Sequence, residues 1–301
     1  MINWKTPDSS IVVDCAWTED CAKRFGSDTA PANIILLSGK YNIVTASAGG
    51  ALLRYYGGKT PNRRGYGFPL CAKDADMAGI MELLRQDAQE RRVPFEFCLC
   101  DERQKAVADT LLTVEWKSTD DDSDYIYKRE SLATLTGKKL HRKRNHVNGF
   151  RRLYDGIEYR PLDSSTAADA LTVAEKWLAE RGDTAGDDER GEFDCIRTAL
   201  ADIDALRLFG GVLYVGDIPV AMTAASKISG SVTDVHYEKS YGEYAENGAF
   251  AVINQCFASS DAVTSEYINR EEDMGIEGLR TAKNSYYPAF RVRKYYGVVR
   301  C

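Results

Sequence analysis

The sequence has only three histidines among its 301 residues and no Cys-x-x-Cys unit, so the ligand spacing of a zinc finger or ribbon is missing. No metal is assigned on that basis. No apolar run approaches the roughly 18 residues of a membrane helix. The opening Met1-Ile-Asn-Trp-Lys-Thr-Pro-Asp8 also lacks the apolar core of a secretory leader. The expectation is a soluble, cytoplasmic chain with no membrane span. Eight cysteines (Cys15, Cys21, Cys71, Cys98, Cys100, Cys195, Cys256 and Cys301) are scattered too widely for a disulfide framework and are expected to be reduced. Cys98 and Cys100 alternate within an apparent strand, Phe95 to Cys100, and are expected on one face. Positive charge is in deficit, with a net charge of −6, which argues against a dedicated nucleic-acid coat.

What is present is an ordinary globular composition, 44% apolar, at a length that accommodates two domains. Charge is uneven. Lys138 to Arg152 (KKLHRKRNHVNGFRR) carries seven Lys or Arg, two His and no acid. Such a segment attracts phosphate over about 8 to 10 Å. It reads as an interdomain helix offering Lys138, Arg142, Lys143, Arg144 and Asn145 to a phosphate backbone or headgroup, or as a solvated helix joining two domains. Aromatic interleaving is slight, so base stacking is not indicated.

Hydrophobic periodicity and turn residues give two halves of similar element order. The first reads as strands at 33–37, 41–46 and 51–56 with a turn at Ser38-Gly39, then a glycine-rich loop from Gly57 to Pro69. A helix with Met77, Ile80, Met81 and Leu84 on one face follows, then the strand Pro94 to Cys100, a helix at 102–111 and a strand at 112–117. The second opens with helices at 165–181 and 189–201, followed by strands at 206–215 and 218–226 joined at Gly216-Asp217, a pair suited to a tight hairpin. A strand at 231–238, a loop from Lys239 to Gly248, and a helix bearing Phe250, Ile253, Cys256 and Phe257, with Asn247 as N-cap, come next. A strand at 265–269, a short helix at 276–285 and a strand at 290–299 complete it. The expected fold class is α/β (α+β): two tandem units, each a mixed, mostly antiparallel sheet flanked by helices. The boundaries are set at 1–136 and 161–301, with the basic helix and linker at 137–160.

This order is similar to that of the GNAT acyltransferase core, whose glycine loop between a central strand and a helix cradles a pyrophosphate. The first amides of a helix lack internal partners and favour an anion. Gly242 to Gly248 is the candidate here, although the closely spaced Gly-x-Gly of acetyl-CoA binders is missing and Glu243 and Glu246 would repel phosphate. The Gly57 to Pro69 loop, with Lys59, Arg63 and Arg64, is a second candidate.

Chemistry concentrates between Tyr267 and Pro288. Acyl transfer needs a deprotonated nucleophile, an aligned donor and stabilisation of an oxyanion. Glu238, closing its strand, is placed to deprotonate an acceptor or bind it as an ammonium ion. His236, two residues away, would share its face, with Tyr237 between them. Asn269 would donate to the oxyanion. Arg280 and Lys283 would clamp a donor phosphate, beside Glu272, Asp273 and Tyr286. The competing structural reading makes Glu271, Glu272 and Asp273 caps for the next helix, and pairs Glu238 with Lys239 or Arg280.

Two stretches carry a family resemblance. The run from Asp124 to Phe150 contains tyrosines, Leu135-Thr-Gly-Lys138 and Lys143-Arg-Asn145; the other contains Asn269-Arg-Glu-Glu-Asp273, Gly278-Leu-Arg280 and Lys283-x-Ser-Tyr-x-Pro288. Together they resemble the phosphatidylglycerol lysyltransferase C-terminal domain group. The resemblance implies a tandem GNAT-like fold and transfer of an acyl or aminoacyl group to an amine or hydroxyl. In the lysyltransferase the donor is an aminoacyl-tRNA and the acceptor a lipid headgroup, but no stretch of this sequence resembles the membrane-embedded half, so the acceptor is not carried over. Three readings remain: an aminoacyl-tRNA-dependent transferase, an acyl-CoA-dependent N-acyltransferase, and a non-catalytic module holding RNA, nucleotide or another anionic ligand. None requires a tightly bound cofactor. The acceptor class stays open among small molecule, peptide and headgroup.

Overall fold

The computed structural model describes residues 2–13, 24–182 and 186–300; Cys15, Cys21 and Cys301 lie outside the described residues. Its strands are β1 (Ile43–Ala48), β2 (Ala51–Gly57), β3 (Arg64–Cys71), β4 (Glu96–Cys100), β5 (Val114–Ser118), β6 (Asp124–Lys128), β7 (Ile157–Pro161), β8 (Phe209–Val215), β9 (Ile218–Ser229), β10 (Val232–Ser240), β11 (Tyr267–Asn269), β12 (Phe290–Val292) and β13 (Tyr295–Val299). They form a six-stranded sheet, β1-β2-β3-β4-β13-β5, and a seven-stranded sheet, β12-β6-β11-β10-β9-β8-β7. Each sheet is mixed and mostly antiparallel, with one parallel pair, β3 with β4 and β10 with β11.

Local sequence accounts for much of this. Gly216, at φ 59°, and Asp217 close the β8–β9 hairpin, where Val215 faces Ile218, as expected from the pair. Asp101 starts the helix Glu102–Leu111 with a capping box completed by Gln104. The helix Met77–Arg91 buries Ile80, Met81, Leu84 and Ala88 at helical spacing.

The sheets cut across the expected boundaries at 136 and 160. Strand β6, from the first half of the sequence, lies between β12 and β11 in the second sheet, while β13, the last strand, lies between β4 and β5 in the first. The expected single strand at 290–299 is therefore two strands in different sheets, divided at Arg293 and Lys294. Strand β7, placed in the linker, is the edge of the second sheet.

Other first-half expectations also change. Residues 31–36 are helical, not extended: Pro31 occupies the first turn of the helix Pro31–Leu36, a position for which its fixed φ is preorganised. The turn at Ser38-Gly39 is the helix Ser38–Tyr41. The glycine-rich segment after Gly57 is a short turn, Pro61–Arg63, followed by strand β3 from Arg64, and its arginines are already paired. Within it, Arg63 pairs with Asp122 and Glu272, and Arg64 with Glu96.

An apolar core joins the halves, with Ile34, Leu36, Tyr56 and Leu99 packed among residues that include Val173, Ile196, Leu200 and Tyr237. Separate cores lie under each sheet. Cys98 and Cys100 enter different cores instead of sharing a face, because Leu99 is left-handed at φ 58° and breaks the alternation of β4. No helix among the described residues is long and apolar enough to cross a membrane.

Candidate active-site cleft

Strands β10 and β11 are paired only at Val232, Thr233 and Asp234, facing Tyr267, Ile268 and Asn269. The ladder ends there, where β11 stops at Asn269. Along its other edge β10 carries a bulge: Val235 faces Ala225 and Tyr237 faces Ala224, which leaves His236 as the extra residue. The bulge reverses the alternation. His236 and Tyr237 lie towards one face, with ring centroids 6.3 Å apart, and Glu238 turns to the other. The expectation that His236 and Glu238 share a face is corrected by this one inserted residue.

On the Glu238 face, its Oε1 accepts from Arg270 at 2.8 Å and its Oε2 from Asn254 at 3.3 Å. Asn254 lies on the helix Ala249–Ser259. The Lys143 ammonium is 4.1 Å from the Tyr286 ring centroid, and the Arg270 guanidinium is 5.0 Å from it. Burial, reinforced by Arg270, pushes Lys143 down from the usual lysine value. Burial also pushes the Tyr286 hydroxyl up to about 12. Arg270 Nη1 and Asn254 Oδ1 are buried without hydrogen-bond partners. The cluster therefore holds a carboxylate between two donors and retains an unused donor and acceptor. Neither alternative partner of Glu238 is used: Lys239 pairs with Glu192 at 2.7 Å and lies over Trp177, and Arg280 is engaged elsewhere.

The opposite face meets the first half of the chain. His236 has Nε2 2.8 Å from Ser226 Oγ and Nδ1 3.4 Å from Glu271 Oε1. Asn269 donates both amide hydrogens, to the Phe25 carbonyl at 2.7 Å and to Asp124 Oδ2 at 2.9 Å. It is thereby committed to positioning the chain and does not supply the expected oxyanion donor. Buried Lys294 sits 2.7 Å from Asp124 and 3.5 Å from Asp28. Burial raises the Glu272 carboxyl, but Lys294 and Arg63 outweigh it and bring it down to about 2. A narrow pocket between the halves is lined by Asn33, Tyr41, Tyr56, Leu99, Glu271 and Lys294, among others. Tyr237 is buried in the interdomain core, with its hydroxyl pushed well up chiefly by burial.

The expected phosphate clamp is occupied. Arg280 holds Asp273 through Nε at 3.0 Å and Asp121 at 2.6 Å, while Tyr125 donates to Asp273 at 2.6 Å. Lys283 donates to the Glu272 carbonyl. These groups hold the loop after β11, and none of Glu271, Glu272 and Asp273 caps the next helix: Glu277–Asn284 follows Ile276 with no side-chain cap. On the basic helix His141–Leu153, Arg144 donates to the carbonyls of Leu135 and Gly137, and Asn145 contacts His141 at 3.5 Å. Arg142 is exposed and remains available. Residues 242–246 of the expected loop form a short helix. Gly248, not Asn247, precedes the helix Ala249–Ser259, at φ 109°; Asn247 instead donates to the Tyr154 hydroxyl at 2.9 Å.

Arg270, Asn254, Lys294 and Asp234 were not singled out from the sequence. Arg270 belongs to the Asn269-to-Asp273 run, but its burial opposite Glu238 follows only from the tertiary fold.

Two helix-flanked mixed sheets of this form, each with one parallel pair, define a tandem GNAT-like α/β fold, the class to which acyltransferases of this superfamily belong. Residues 20–297 match the family model described as phosphatidylglycerol lysyltransferase, C-terminal, and the chain belongs to that family. It is similar to a conserved protein of unknown function from Bacteroides thetaiotaomicron, with 30% identity, a TM-score of 0.91 and 100% of each chain covered. The structure of L-PGS from Bacillus licheniformis shares the fold at 15% identity and a TM-score of 0.65, over 98% of this chain and 92% of that one. An uncharacterised protein of Mycoplasmoides gallisepticum is 26% identical over 190 residues, 60% of this chain. The match spans 57% of that curated relative's length.

Proposed function

We propose that the protein transfers an acyl or aminoacyl group from a phosphate-bearing donor to an amine or hydroxyl, with the reacting groups meeting where the β10–β11 ladder ends. The observation that carries this reading is the buried Glu238–Arg270–Asn254 cluster, which retains an unpartnered Arg270 Nη1 and Asn254 Oδ1. Buried polar atoms without partners call for an explanation, and a substrate carbonyl and acceptor would complete both.

In this reading the acceptor nitrogen or oxygen attacks the donor carbonyl carbon. Glu238 takes the acceptor's proton and returns it to the leaving oxygen or sulfur as the donor bond breaks. Arg270 replaces Asn269 as the donor to the developing oxyanion. The preferred donor is an aminoacyl-tRNA, held through exposed Arg142 on the basic helix and exposed Lys138 just before it. An acyl-CoA donor is the second reading, favoured by the helix Ala249–Ser259 starting at a left-handed glycine, since the first amides of a helix are available to an anion.

The test incubates the protein with charged tRNAs and acyl-CoAs in cell extract and reads new acylated products by mass spectrometry. The expected product forms from a charged tRNA and falls by about 10²-fold or more in Glu238→Gln. A product formed only from an acyl-CoA replaces the donor. No product across the panel leaves the binding-module reading in its place.

A further inference from the structure

On the face of β10 away from Glu238, the fold brings Glu271, from the loop after β11, against two residues of β10, Asp234 and His236. Asp234 and His236 flank the start of the bulge, and Glu271 follows β11 at φ 55°. His236 Nδ1 lies 3.6 Å from Asp234 Oδ2 and 3.4 Å from Glu271 Oε1. One potential ligand atom from each of the three lies within 4.8 Å of the other two. We propose that Asp234, His236 and Glu271 form a binding site for a divalent transition-metal ion, zinc foremost, at the seam between the two halves of the molecule.

The spacing is the first argument. Two acceptors face a single ring nitrogen, both beyond the roughly 2.7–2.9 Å of a charge-assisted hydrogen bond. Ligand atoms about 2.0–2.1 Å from a tetrahedral zinc are about 3.3–3.4 Å apart, close to the two separations from His236 Nδ1. One imidazole and two carboxylates also form a donor set suited to zinc, with a fourth position left for water or another ligand.

The surroundings are the second. His236 Nε2 lies 2.8 Å from Ser226 Oγ, the arrangement in which a ligating histidine donates its remaining N–H to an outer partner. Asn33 Nδ2 donates to Glu271 Oε1 at 3.0 Å and approaches Asp234 Oδ2 at 3.5 Å, orienting both carboxylates from the first half of the chain. Asp234 is fully buried, and its Oδ1 has no hydrogen-bond partner. Among the described residues no Lys or Arg forms an ion pair with Asp234 or Glu271; nearby Lys294 is engaged with Asp124 and Asp28. Buried carboxylates need a cation, a proton or several donors. A metal ion meets that need and accounts for Glu271 being turned towards Asp234 and His236.

The test uses the full chain, freed of metal with a chelator, then equilibrated with Zn²⁺ and desalted. Bound metal is counted by mass spectrometry and affinity measured by competition with a chromophoric chelator. The expected result is one zinc per chain, with a dissociation constant at least tenfold weaker in His236→Ala and in Glu271→Gln. Ser226→Ala retains all three ligands and is expected to weaken binding by about 10-fold. Glu271→Gln keeps shape at a partly exposed position, so the proposal remains testable if His236→Ala does not fold. Absence of stoichiometric zinc in the wild type, or equal affinity in wild type and a folded Glu271→Gln, overturns it. Neither outcome depends on acyl transfer, which is read separately through Glu238.

Discussion

Glu238 and Arg270 are joined at 2.8 Å just past the last residue of β11. Their side chains are only 11% and 13% exposed. The pair joins β10 to the first residue after β11, beyond the end of their backbone ladder, so it both ties the sheet and lines the proposed reaction site.

Breaking this pair from one side leaves an uncompensated buried charge. Arg270→Met is expected to lower stability by about 3–5 kcal/mol, measured by urea unfolding. Glu238→Leu combined with Arg270→Met removes both charges and is expected to recover a substantial part of that loss. A double variant no more stable than Arg270→Met would show that the pair is not the source of the effect.

Lys294 gives the molecule a pH dependence at the alkaline end. Burial opposes its charge, but Asp124, Glu272 and Asp28 raise it well above the ordinary 10.5. A lysine raised in the folded state contributes its full stabilisation below the unfolded value; that contribution declines as pH rises through the folded value. The stability difference between wild type and Lys294→Met is therefore expected to hold steady from about pH 8 to 10 and shrink above 10.5. A difference that widens above that pH in urea titrations would contradict the pairing.

The extent to which sequence disclosed this molecule follows from how local each feature is. The β8–β9 hairpin, the capped helix at 102–111 and the amphipathic helix at 77–91 depend on neighbours in the chain, and were readable. The position of β6 and β13 depends on which sheet a short apolar strand joins, which its own pattern does not encode. The expected set of Glu238, His236 and Asn269 does come from neighbouring strands, but one bulged residue separates His236 from Glu238. Arg280 shows the same limit from another direction: a basic residue in a charged loop looks available until Asp273 and Asp121 are found on it.

Gly248 is positioned by conformation as well as space. Its φ is 109°, and a Cβ added there would lie 3.2 Å from the His146 carbonyl oxygen. Gly248→Ala is expected to destabilise the chain by about 1–2 kcal/mol and to loosen the contact between the basic helix and the helix Ala249–Ser259. Thermal unfolding measures the first effect, and hydrogen exchange at the start of the latter helix the second. Unchanged protection there would separate the backbone strain from the contact.

If the donor is RNA, the exposed cations of the basic segment, Lys138 before the helix His141–Leu153 and Arg142 on it, should set its salt dependence. Each phosphate contact contributes about 0.7–0.9 to the slope of log affinity against log salt. Lys138→Ala combined with Arg142→Ala is expected to reduce that slope by roughly 1.4–1.8 in tRNA binding, whereas Arg280→Ala should leave it unchanged because Arg280 is held by Asp273 and Asp121. A slope altered by Arg280→Ala alone would restore that residue to the phosphate-binding role expected from sequence.

The interleaving of the sheets yields a prediction about folding. Strand β13 lies between β4 and β5, so residues 1–136 by themselves place β5 beside no neighbour and leave a gap in the first sheet. The complementary piece, 137–301, lacks β6, which separates β12 from β11 and carries buried Tyr125, Ile126 and Tyr127. Each fragment would therefore expose an open strand edge and an apolar face that the other covers, the arrangement that favours aggregation over folding. Expressed separately, both are expected to lack the dispersed amide spectrum of a folded protein; produced together, they are expected to recover it as a stable complex. Independent folding of residues 1–136 would mean that β13 adds to a sheet already complete without it, and that the two halves are ordinary tandem domains divided where the sequence first suggested.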